Sequence, residues 1–143
     1  MGWVRDARGA LKLLGGSWRP LVRALIELAQ ARVRLGADHR EHLMKSKMTR
    51  RSPGIPLTIN EMRLIEQVAF AIPRVARRLP WRADCLVQAL AGERWLRSRG
   101  VAAQVVIGVR KEGPASLDAH AWLEAGGQIV TGGNVAMFSP LAD

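Results

Sequence analysis

One cysteine, no tyrosine and two phenylalanines stand among the 143 residues. A single thiol excludes an internal disulfide and fits a reducing compartment, so a cytoplasmic protein is expected. With so few aromatic rings, the chain is poorly equipped for the stacking surfaces that hold single-stranded nucleic acid. Long apolar runs are missing as well. Leu21 to Leu35 comes nearest, but Arg23, Glu27, Arg32 and Arg34 interrupt it, and a membrane span needs about 20 largely apolar residues. The opening Met1-Gly2-Trp3-Val4-Arg5-Asp6 carries charge where a secretory signal needs apolar residues. Asp6 also stands where a myristoylation signal prefers Ser or Thr. Acidic side chains are scarce: 12 Asp and Glu face 22 Lys and Arg, a net charge of +10. Such a field attracts acidic partners.

Apolar residues make up 48% and charged residues 24%, with no internal repeat. That balance excludes a disordered tail and, at this length, describes one domain with a core of its own. The charge is uneven: residues 1–50 hold 11 basic and 4 acidic side chains, residues 51–143 hold 11 and 8. Between Trp18 and Leu35, apolar residues recur at three- and four-residue steps (Trp18, Leu21, Val22, Leu25, Ile26, Leu28, Ala29, Val33). This spacing predicts a helix that packs through that stripe, with Arg19, Arg23, Glu27, Arg32 and Arg34 on the other side and Gly36 as its stop. Residues 37–57 read as a basic connection. His39 and His42 lie in it three residues apart without a third ligand nearby, so they read as a solvated pair and no metal is expected.

A second helix is expected from Asn60, an N-cap, with Leu64, Ile65, Val68, Ile72, Val75 and Leu79 as its buried stripe. Pro73 predicts a kink or break, and Pro80 an end. A third helix is expected from about Arg82 to Arg99, closed by Gly100. The period then changes to two. Val101 to Arg110, Asp118 to Glu124 and Gln128 to Thr131 read as strands, the last two joined by a tight hairpin at Gly126-Gly127. Helices first and a small antiparallel sheet afterwards make an α+β domain.

Two residues could carry chemistry. Cys85 falls in the first turn of the third helix, where the partial positive charge of the helix end favours a thiolate; Arg82 assists and Asp84 opposes. A lone intracellular cysteine otherwise serves as a small buried hydrophobe. His120 lies inside the strand Asp118-Ala119-His120-Ala121-Trp122-Leu123, where alternation puts Asp118, His120 and Trp122 on one face. If the start of the third helix meets that face, thiol and imidazole form the Cys–His unit of acyl transfer.

The stretch Leu79-Pro80-Trp81-Arg82-Ala83-Asp84-Cys85-Leu86-Val87-Gln88-Ala89-Leu90-Ala91 resembles the cysteine motif of the transglutaminase-like leader peptidases of lasso-peptide biosynthesis. Trp95 to Val101 and Ile107-Gly108-Val109-Arg110 continue the resemblance. Ala119-His120-Ala121-Trp122-Leu123-Glu124 is similar to the family's histidine block, followed by Gly127 to Gly133 and by Phe138-Ser139-Pro140-Leu141. These blocks cover about residues 60–143 and occur in the expected order; residues 1–59 match only as basic and amphipathic helices and a loop packing on that core.

The resemblance implies a papain- or transglutaminase-like fold, with Cys85 as nucleophile, His120 as base and no cofactor. The family's third member is an acid on the strand after the histidine, but Gln128-Ile129-Val130-Thr131-Gly132-Gly133 contains none. Asp118, on the histidine's own face, is the nearest acid and the favoured orienting residue, with Glu124 and Asn134 as alternatives. The oxyanion donors are expected among backbone N–H groups, including that of Cys85, while Gln88 need not reach the site. The resemblance also implies partners: a lasso precursor peptide, a PqqD-like leader-recognition protein and an asparagine-synthetase-like macrolactam synthetase. Two other readings remain open. One is a basic module gripping nucleic acid or an anionic membrane surface; the other is a transamidase using the same Cys–His unit.

Overall fold

The computed structural model describes residues 18–37, 56–81 and 83–141. His39, His42 and Arg82 lie outside them, as does most of the expected connection over 37–57. Three helices, α1 (Arg19–Ala37), α2 (Ile59–Ala76) and α3 (Cys85–Ser98), precede four strands. These are β1 (Gln104–Gly113), β2 (Ser116–Ala125), β3 (Gln128–Thr131) and β4 (Ser139–Pro140). The sheet is antiparallel in the order β3-β2-β1-β4. This is the α+β arrangement of helices followed by a small antiparallel sheet.

The first helix packs differently from its apolar spacing. Ala24, Leu28 and Ala31 are buried, whereas Trp18, Val22, Leu25, Ile26 and Val33 are exposed. Glu27, expected on the solvent side, is only 2% exposed. Its burial follows from charge pairing: Arg23 Nη2 lies 2.7 Å from Oε1 and Arg94 Nε of α3 lies 3.1 Å from Oε2. Arg23 also donates to Ser98 Oγ at 3.1 Å. α1 has apolar residues on two faces, and the one turned inward carries Ala24, Leu28 and Ala31 together with the paired Glu27.

The second helix starts two residues earlier than an N-cap at Asn60 would place it, because Thr58 is its N-cap. Its side chain accepts from Glu61 N at 3.2 Å while Glu61 Oε2 accepts from Thr58 N at 2.7 Å, a reciprocal capping box. The helix runs through Pro73 for three more residues and ends at Ala76. Proline removes one helical donor, and near the end of a helix packed by Ile65, Val68 and Ile72 the loss does not break it. The third helix opens three residues later than expected, at Cys85, because Asp84 caps it.

The long hairpin pairs Val105 with Leu123 and Ile107 with Ala121, and, on the other side of the strands, Gly108 with His120 and Arg110 with Asp118. β1 begins three residues later than the expected Val101 and runs three beyond Arg110, and β2 begins two before Asp118, so that Pro114-Ala115 form the turn. At the second hairpin, Gly126 and Gly127 both have positive φ, which a two-residue turn between twisted strands requires. β4, which no sequence pattern announced, adds two residues to the edge of β1, and Leu141 N donates to Ile107 O at 2.8 Å. The core lies between the helices and the sheet, where Leu28, Ile65, Ile72, Val87, Leu96 and Leu123 are fully buried. Among the described residues no helix is long and apolar enough to cross a membrane.

Candidate active site

Asp84 has extended backbone (φ −69°, ψ −179°), and its Oδ1 accepts from Val87 N at 3.1 Å. Its carbonyl accepts from Gln88 N at 3.0 Å. Cys85 is therefore the first helical residue. The N–H groups of Cys85 and Leu86 precede the first intrahelical bond and have no acceptor within the helix. The thiol is half-buried. Gln88, one turn on, returns its amide to the segment before the helix, with Nε2 donating to Ala83 O at 2.9 Å. It thus ties down the backbone that leads into Cys85.

His120 sits in the middle of β2, half-buried. Its ring lies 6.3 Å from that of Trp122 at an interplanar angle of 30°, and 5.0 Å from that of Phe138 at 34°. Nε2 is 2.7 Å from the backbone oxygen of Gly132. A carbonyl oxygen only accepts, so Nε2 carries the proton and donates it. In the neutral ring Nδ1 is then the bare nitrogen, able to take a proton.

Cys85 and His120 line one cleft of about 560 Å³. Its walls come from α2 (Ala69, Pro73), Arg77 just beyond it, the start of α3 (Cys85, Gln88) and β3 with its continuation (Ile129 to Gly133). Gln88, not expected at the site, is thus part of the wall. Arg77 is fastened by its Nε, which donates to Pro73 O at 3.2 Å. Thr131 is buried, and its Oγ1 has no hydrogen-bond partner among the described residues. Among those residues no group of three or more His, Cys, Asp or Glu could hold a metal ion.

The three side chains considered for orienting His120 all have other partners. Asp118 Oδ2 accepts from Arg110 Nε at 3.0 Å. Glu124 Oε1 accepts from the Trp122 indole at 2.8 Å, and Asn134 Oδ1 accepts from Ala136 N at 3.1 Å. Sequence reasoning missed the contacts that hold the imidazole: the Gly132 oxygen and the Phe138 and Trp122 rings. A backbone oxygen has no signature in a sequence. The Gly132-Gly133 pair was visible only as the end of a strand.

Comparison with known proteins bears on the family of the chain. The microcin J25-processing protein McjB of Escherichia coli is 33% identical over 73 residues, which cover 51% of this chain and 34% of that protein. The matched part is thus about a third of the curated relative's length. No solved structure matches. Residues 24–143, most of the chain and all of the cleft, match the family described as the transglutaminase-like superfamily. With its thiol at a helix start and its histidine on the neighbouring sheet, the chain belongs to the transglutaminase-like superfamily.

Proposed function

We propose that this protein is a cytoplasmic cysteine peptidase that removes the leader from a ribosomally made lasso-peptide precursor. The observation that carries the reading is the shared cleft of Cys85 and His120. The likeness to a microcin J25-processing protein and the motif resemblance supply the substrate class.

The chemistry follows from the groups present. Nδ1 of His120 takes the thiol proton and the sulfur attacks the scissile carbonyl. The resulting oxyanion is stabilised by backbone N–H groups at the start of α3, that of Cys85 first among them. The imidazolium returns its proton to the leaving amine, which departs with the core peptide, and the leader remains as a thioester on Sγ. Water, deprotonated by His120, then releases the leader as a free acid and restores the thiol.

In this reading the partners are the precursor, a PqqD-like protein that presents the leader, and an asparagine-synthetase-like synthetase that receives the core. The test is incubation with precursor and recognition protein, read by mass spectrometry. Two fragments are expected from the wild type, none from Cys85→Ala or His120→Ala, and none after iodoacetamide. Cleavage at the wild-type rate by either folded variant would overturn the reading. A leader joined to an added amine in place of water would identify a transamidase.

A further inference from the structure

We infer that the backbone carbonyl of Gly132 is the orienting partner of His120, in place of the carboxylate or amide side chain that such sites use. The inference rests on the Cys–His reading above and deepens it. Three observations carry it. The first is the 2.7 Å contact from Nε2 to the Gly132 oxygen. The second is that Asp118, Glu124 and Asn134 are each bonded elsewhere, to Arg110, Trp122 and the Ala136 amide.

The third is the way the main chain is brought to the ring. Gly132 has φ +112°, a conformation that side chains disfavour. A Cβ there would overlap Trp122 Cβ and stand 3.0 Å from Trp122 Cα. Glycine therefore lets β3's continuation press against β2 beside the histidine, and this approach delivers the oxygen. The rings of Trp122 and Phe138 lie 6.3 and 5.0 Å from that of the histidine and narrow the space in which it can turn.

Such a carbonyl does half of what a carboxylate does. It fixes the tautomer and the ring's direction, leaving Nδ1 bare for the thiol proton: the Sγ–H bond breaks, an Nδ1–H bond forms and the Nε2–H stays in place. It offers the imidazolium a dipole instead of a full charge. Asp118 meanwhile serves the hairpin through Arg110, on the same side of the strands but two residues away.

Ring-nitrogen NMR of the uniformly 15N-labelled full chain tests this directly, with His120→Ala identifying the signals. The neutral ring is expected to carry its proton on Nε2 in the wild type and equally in Asp118→Asn. A proton on Nδ1, or a tautomer that changes in Asp118→Asn, would overturn the inference. A second measurement is the rate at which iodoacetamide alkylates Cys85. Asp118→Asn should match the wild type. Glycolic acid in place of Gly133 turns the Gly132 carbonyl into that of an ester, a weaker acceptor, and should slow alkylation by about fivefold, the size of one ordinary hydrogen bond. An unchanged rate in the folded ester, or a comparable loss in Asp118→Asn, would count against the inference. The outcome for the peptidase reading is separate: it fails if His120→Ala alkylates as fast as the wild type, whatever the tautomer.

Discussion

Trp122 is the residue around which the site is arranged. Its indole lies where a side chain at position 108 would be, since a Cβ on Gly108 would come within 2.6 Å of its Cη2 and 3.0 Å of Ser139 O. Its backbone limits position 132 in the same way. Gly108→Ala is therefore expected to push the indole from its bond to Glu124 and to disturb the ring stacked beside it, His120. The expected cost is about 1–3 kcal/mol in urea unfolding, the usual penalty of overpacking, with peptide cleavage falling further than the small change in volume suggests. At this scale the two side chains that share the cleft were legible in the sequence and their supports were not. Cys85 and His120 announce themselves because thiol and imidazole are rare and reactive. The groups that aim them are a main-chain oxygen, two aromatic rings and two glycines, residue types that do structural work everywhere.

Among the elements, α3 matters most, because its first residue is Cys85, the proposed nucleophile. Asp84 sets that start through its bond to Val87 N. Asp84→Ala should cost about 1 kcal/mol of stability, the ordinary value of an N-cap, while Asp84→Ser should keep most of it. Circular dichroism followed through thermal unfolding separates the two. The periodicity located α2, α3 and all three longer strands, since each carries one clear apolar face. It placed the boundaries less well. A capping box at Thr58 outweighed the good N-cap at Asn60, and Pro73 near a helix end left α2 continuous. It misread α1, which has apolar residues on both faces. The inward face holds Glu27 beside Arg94, nearly seventy residues further on, and no local pattern contains that partner. β4 escaped notice because two residues, one of them proline, show no alternation.

In the whole molecule, Glu27 and its two arginines join the first helix to the third. Glu27→Gln keeps the shape but leaves Arg23 and Arg94 facing each other without a counter-charge. A loss of about 1–2 kcal/mol is expected in urea unfolding, because the carboxylate is buried but the two arginines left without it are 39% and 34% exposed and water takes up part of their charge. A loss below 1 kcal/mol would mean that solvent reaches the carboxylate as well. Fold class was legible at this scale because the change from a three-to-four-residue period to a two-residue period divides the chain once, near Gly100.

That division has a chemical consequence. The sulfur rides on the helical layer and the imidazole on the sheet, so the proton transfer proposed between them depends on how the two layers are seated. A slip of an ångström along that seam would leave the overall fold intact and still slow the proposed reaction by about a hundredfold, since reacting groups must be held to near-contact geometry. Turnover should therefore fade in dilute denaturant before any global transition, making catalysis the finest gauge of this molecule's internal alignment.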